Sequence, residues 1–184
     1  MLSEMLGKKI DAELPQERKL IDQIKENADA LFTGSKHILW ALDPDNDRLD
    51  EVLNHVVEFG VDIFSNTQVR FLPQVNAGEF APVTLPMGYG RNITLIFKEL
   101  FNNVLKHSGA KNVTLLATLD ADKNIFFEIE DDGSGFDAGE VKGGNGIKNI
   151  NNRAKRIKGE IKITSAKGNG TCIALVLTGY KHLF

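Results

Sequence analysis

The apolar period of this chain switches between helical and strand spacing, and that switching constrains the fold more than any other feature. Through "LIFKELFNNVLKHSGAKNV", Leu95 to Val113, apolar residues return at the spacing of a helix packed on a core. The runs that follow, "KNVTLLATLD" and "KNIFFEIEDD", read as strands joined by a short turn near Ala121-Asp122. Both kinds of element must bury one face, and they do so by layering. The expected class is α+β: a two-layer sandwich of helices on a mixed, mostly antiparallel sheet, preceded by a helical segment.

The other elements fit this plan. Residues 1 to about 42 read as helices, with Pro15 at a helix start or bend. "DPDND", Asp43 to Asp47, is a turn and capping cluster. The boundary is placed there, giving a helical segment 1–45 and a main domain 46–184. A helix is expected from about Arg48 to Asn66, with Leu49, Val52, Leu53, Val56, Val57, Phe59 and Ile63 inward. "QVRFLPQV" reads as a strand, "EFAPVTLPMGYG" as an irregular crossing loop, and Gly90 to His107 as a helix. "GIKNINNRAKRIK" is a further helix, and "GEIKITSA" and "GTCIALVLTG" are strands around a Lys-Gly-Asn-Gly turn.

Composition sets limits on function. Lys+Arg 22 against Asp+Glu 25 leaves a net charge of -3, so no chain-wide attraction to nucleic acid or anionic membrane exists. Any phosphate must be held by a local site. One cysteine, Cys172, excludes an internal disulfide and sits in the apolar run "TCIALVL", as a small core residue does. No apolar stretch reaches the roughly 18 to 20 residues of a membrane span. The expectation is a soluble, cytoplasmic piece without membrane contact, whose parent protein has room for an anchor upstream.

The helix at 90–107 carries four polar groups on one edge: Glu99, Asn103, Lys106 and His107. With about 100° per residue, Asn103 lies about 40° from Glu99, Lys106 about -20° and His107 about 80°. A carboxylate and an amide one turn apart offer oxygens to a hard cation such as Mg²⁺, and the bases suit phosphate oxygens. A solvated face with a Glu/Lys ladder has the same pattern, so the helix alone does not decide. Asn102 is set aside as a capping or surface residue.

Three glycine-rich segments follow. "IEDDGSGFD" puts Asp131 at a strand end, with Gly133 and Gly135 allowing close backbone approach. It is not an EF-hand, because the twelfth position would be Gly139. "KGGNGIKNI" opens a helix whose amides suit an anion. It lacks the third glycine of the dinucleotide fingerprint, where Asn149 stands. "KGNGT" ends with Thr171 at a strand start. Each alone is a turn as readily as a site; their order after the polar helix is what counts.

In that order they resemble the GHKL (Bergerat-fold) ATPases, specifically the catalytic domain of bacterial sensor histidine kinases, over about residues 48 to 180. "ELFNNVLKHSGA" is similar to the N box, and "DDGSG", "GNGIKNI" and "GNGT" to the three glycine boxes. Only eight residues separate Gly135 from Gly144. This short lid, the "KHS" ending and "ILWALDPDNDRLDEV" resemble the class of nitrate sensors and the desaturase-controlling thermosensor. The resemblance implies that Asp131 accepts the adenine amino group, with Thr171 supporting that end and Gly133 and Gly135 admitting the base. It implies that Asn103 binds Mg²⁺ bridging the ATP phosphates and that Glu99 is general base or orienting group. Lys106 and His107 would neutralise phosphate. Gly144 and Gly146 would form the lid and helix entrance, with Ile147 against the base.

A sensor kinase also needs an acceptor histidine followed by an acidic residue. His37, His55, His107 and His182 are followed by Ile38, Val56, Ser108 and Leu183. The expectation is a chain that begins after the acceptor, keeps part of a dimerising hairpin and cannot phosphorylate itself. A response regulator receiver domain and a second copy of the parent would be its partners. The alternatives are a chaperone-, gyrase- or mismatch-repair-type ATPase, an anti-sigma-type serine kinase module, and a nucleotide sensor without turnover.

Overall fold

The computed structural model describes residues 47–137 and 145–178, together with Ile21 and Ile24, which are helical and exposed. The chain divides into two units, Met1–Leu42 and Asp43–Phe184, and the account below concerns the second. The remaining expectations for residues 1–42, and those for Gly144, His37 and His182, lie outside the described residues.

Helix α1, Leu49–Ser65, buries Leu49, Val52, Leu53, Val56 and Phe64 on one stripe. Val57, Phe59 and Ile63 sit only half-buried at its margins, and Phe64 takes the inward place at its end. Strand β1, Arg70–Gln74, follows. The crossing segment then holds a short 3-10 turn, Ala77–Phe80, which the sequence reading leaves irregular. Two backbone bonds tie this crossing to the start of α1: Leu49 N–H to Val83 O at 3.0 Å and Leu85 N–H to Asp47 O at 2.7 Å.

Helix α2 runs Tyr89–Asn103. Its start is served not by its own N-cap residue, Gly88, but by Asp47. The amides of Gly88 and Gly90 draw that carboxyl down, against a larger upward push from burial. Asp47 thus caps the helix beyond the crossing, while α1 follows its N-cap residue Arg48 without a side-chain cap.

Strands β2, Asn112–Leu119, and β3, Ile125–Asp131, form a hairpin. Helix α3, Asn145–Arg156, leads to β4, Gly159–Ser165, and β5, Thr171–Leu177. The five strands lie in the order β1-β2-β3-β5-β4, with β1 parallel to β2 and the other pairs antiparallel. The α+β class is therefore observed: helices plus a mixed five-stranded sheet.

The core lies between helices and sheet. Val113 and Leu115 of β2, Ile125, Phe127 and Ile129 of β3, and Leu175 and Leu177 of β5 are buried there, as alternation demands. Phe101 of α2 joins the layers. Its ring lies 5.3 Å from that of Phe71, 5.5 Å from that of Phe64 and 6.3 Å from that of Phe97, which meets Phe127 at 5.9 Å. Edge-to-face packing of this kind fixes the rotation of α2 about its axis, and with it the direction of the opposite edge.

Candidate functional site

That opposite edge lines a cavity of about 570 Å³. Glu99, Asn103, Lys106 and His107 stand on its helical wall, with Asp131 and Thr171 on the sheet wall and Gly135, Gly146 and Ile147 between. The structure thus brings together nine of the residues singled out from the sequence. Gly133 is not in the lining, and Gly144 is outside the described residues. The volume is in the range of small-molecule sites.

The helix wall departs from a straight wheel. α2 ends at Asn103, and Val104–Ser108 form a π-helical turn. Such a turn holds more residues than an α-turn, so Lys106 and His107 advance less per residue than the sequence reading assumes. Both remain on the cavity and exposed. The helix stops because Gly109 takes the left-handed conformation, φ 64°. Ser108 seals the end: its hydroxyl donates to Val104 O at 2.8 Å and accepts the Ala110 amide at 3.0 Å.

Lys98, beside Glu99 in the chain, belongs to another surface. Its Nζ lies 4.8 Å from the centre of the Phe59 ring, and burial lowers its pKa to about 8.

Asp131 ends β3 on the inward face and is 6% exposed. Its Oδ1 accepts the Gly133 amide at 2.9 Å. Burial pushes its carboxyl up, that amide pulls it down, and the charges of Asp132 and Glu130 add to the rise. The glycine loop beyond it is pinned to the end of α2, since the Ser134 amide donates to Ser108 O at 2.7 Å. Gly133 makes that join possible: a Cβ there would sit 2.7 Å from Ser108 Cβ. Its position explains its absence from the lining. It brings two walls together and leaves contact with the cavity to Ser134, Gly135 and Phe136.

The start of α3 closes on the helix wall. A Cβ on Gly146 would lie 2.6 Å from Glu99 Oε1 and 3.4 Å from Asn103 Oδ1. These two oxygens therefore converge on one backbone position. Among the described residues no group of three or more His, Cys, Asp or Glu could hold a metal ion. A divalent cation would fit only with most of its ligands supplied by water and a phosphate-bearing partner, which is how Mg²⁺ usually binds. In such an arrangement Asn103 would offer its amide oxygen.

The sequence reading misses Asn102, Ile129 and Ile173, all on the lining. Asn102 donates its amide N–H to Lys98 O at 2.8 Å yet still faces the cavity. The two isoleucines were legible by alternation, Ile129 lying two residues before Asp131 and Ile173 two after Thr171, and they pair across β3 and β5.

Residues 88–180, just over half of the chain, match the family model of histidine kinase-, DNA gyrase B-, and HSP90-like ATPases. A curated relative, the signal transduction histidine-protein kinase/phosphatase UhpB of Salmonella typhimurium, is 31% identical over 80 residues; these are 44% of this chain and 16% of that protein. The chain thus spans about a sixth of the relative's length. Among solved structures, the histidine kinase domain of the blue-light activated histidine kinase EL346 of Erythrobacter litoralis superposes with a TM-score of 0.59 at 19% identity, covering 71% of this chain and 60% of that one. The longer EL346 structure gives 0.62 at 18%, covering 83% and 49%. The mycobacterial sensor histidine kinase MprB gives 0.53 at 17%, covering 69% and 91%. These likenesses concern the fold. The motifs, the five-stranded sheet and the matched residues agree, and the chain belongs to the family of histidine kinase-, DNA gyrase B- and HSP90-like ATPases.

Proposed function

We propose that this chain binds Mg·ATP and transfers the γ-phosphoryl group to a histidine of a two-component sensor kinase, for relay to a response regulator receiver domain. The observation that carries the reading is the cavity between α2 and the ends of β3 and β5. It joins a buried carboxylate suited to a base with a carboxylate, an amide and two basic side chains suited to phosphates.

In this reading the purine enters beside Asp131 and Thr171, with Gly133 and Gly135 shaping the loop and Ile147 against its face. The phosphates extend toward Asn103, Lys106 and His107. Mg²⁺, when bound, neutralises charge on the transferring phosphoryl group. Asn103 would hold it through its amide oxygen. Glu99 orients the attacking imidazole or takes its proton. Gly146 lets the start of α3 lie directly on Glu99, and Gly144 belongs to the lid before it.

The finer assignment is the short-lid class of nitrate sensors and the desaturase-controlling thermosensor, supported by the eight residues between Gly135 and Gly144. Residues 1–45 are read as part of a dimerisation and phosphotransfer hairpin, and residues 46–184 as the catalytic domain. The acceptor is a histidine followed by an acidic residue, which none of the four here is. The chain would work in the cytoplasm as part of a homodimeric parent; among the described residues no helix is long and apolar enough to cross a membrane.

Calorimetry with magnesium and ATP tests the binding step, and absence of heat would reject it. Adding a helical hairpin with a histidine-acidic pair, together with ATP labelled at the γ-phosphate, tests transfer. Phosphohistidine on the hairpin is the expected product, whereas label on His37 would reject the assignment of the acceptor.

A further inference from the structure

The register of β3, β5 and β4 sets Asp131, Thr171 and Ser165 in one row across three strands. Asp131 and Thr171 line the cavity; Ser165 lies behind them and does not. Its hydroxyl has three partners. The Phe136 amide points to it at 2.9 Å, Gly170 O lies at 2.9 Å, and Thr171 Oγ1 at 3.0 Å.

A serine hydroxyl has one hydrogen and two lone pairs. Gly170 O can only accept, so it takes the hydrogen. The Phe136 amide can only donate, so it occupies one lone pair. The other lone pair faces Thr171, whose hydroxyl must then be the donor. The Thr171 hydrogen is thereby directed to Ser165, so this hydroxyl can meet a ligand in the cavity only as an acceptor. The neighbouring Asp131 carboxylate is also an acceptor.

We infer that Ser165 sets the purine selectivity of the site by fixing the direction of the Thr171 hydroxyl. Two adjacent acceptors receive an exocyclic amino group and oppose an oxo group at the same place. Ser165 is a positioning residue, since it acts on the base only through Thr171. The inference rests on reading the cavity as a nucleotide site.

The test compares Mg·ATP with Mg·inosine triphosphate, in which an oxo group replaces the 6-amino group, by calorimetry on the parent and its variants. The parent is expected to prefer ATP. In Ser165→Ala the freed Thr171 hydroxyl can turn and donate, and the ATP-to-inosine-triphosphate affinity ratio is expected to fall about tenfold. Ser165→Thr keeps a hydroxyl and is expected to restore the ratio. If Ser165→Ala does not fold, Thr171→Val removes the oxygen at nearly constant shape and is expected to lower the ratio similarly. ATP binding with an unchanged ratio in the folded variant overturns this inference and leaves the nucleotide site standing. Failure of the parent to bind either triphosphate overturns both.

Discussion

Asp131 and Asp132 are consecutive in the chain and opposite in environment. Asp131 is buried at the cavity; its Oδ1 accepts the Gly133 amide at 2.9 Å, and the Thr171 amide also helps to hold the carboxyl down. Asp132 is exposed and accepts three: Lys111 N–H at 2.7 Å, Asn112 N–H at 2.8 Å and Asn112 Nδ2 at 2.7 Å. The first carboxylate stands ready for a ligand, while the second clamps the start of β2 to the end of β3.

Asp131→Asn is expected to weaken ATP binding by more than about tenfold, because a polar contact to a buried base is worth roughly 1.5 to 3 kcal/mol. The same change is expected to stabilise the free protein at neutral pH. Burial raises the Asp131 pKa, so its ionised form is disfavoured in the folded state. That penalty is full above the raised folded pKa and absent below the ordinary 3.8. Melting curves should show the variant's advantage at pH 7 and its disappearance in acid, with calorimetry reporting the lost affinity.

Asp132→Ala is expected to act in the reverse sense. The Asn112 amide, its side chain and the Lys111 amide hold this carboxyl below its usual range. Its contribution is present above pH 3.8 and is lost as pH falls through the lowered folded value. The variant should melt lower than the parent at pH 7, and the gap should shrink on acidification.

Asn103→Asp is expected to reduce magnesium-dependent phosphoryl transfer by on the order of a hundredfold, with a melting midpoint close to the parent's. Label transferred to a separately supplied acceptor hairpin measures the effect. A variant as active as the parent would remove Asn103 from the site.

Gly146→Ala separates stability from activity. Alanine suits a helix better than glycine, but its methyl group would lie 2.6 Å from Glu99 Oε1. The flexible Glu99 side chain must swing aside. The fold should therefore remain as stable as the parent, while phosphoryl transfer falls; circular dichroism melts and the hairpin assay read the two effects separately.

Much of this site was legible because its parts are encoded locally. Helical spacing put Glu99 and Asn103 on one edge, and alternation ended β3 on Asp131. The rest depends on relations between distant segments. The π-helical turn at Val104–Ser108 is not visible in a sequence whose spacing still reads as α-helical. Asp47 caps α2 across an intervening helix and strand. Ser165 matters because the register of β4 with β5 places it behind Thr171, and Gly133 because Ser108 lies against it. Asn102 was set aside on a wheel angle, although a wide cavity mouth also takes in the neighbouring edge of the helix.

The sheet's one parallel pair has a kinetic consequence. The β2–β3 and β4–β5 hairpins each close a loop of five residues, whereas 37 residues separate the end of β1 from the start of β2. Local closures are fast and distant ones slow. During refolding, pulse-labelled amides of β3 and β5 should gain protection before those of β1. The hairpins that carry Asp131 and Thr171 would thus each be formed while the edge strand beneath α1 is still searching for its place.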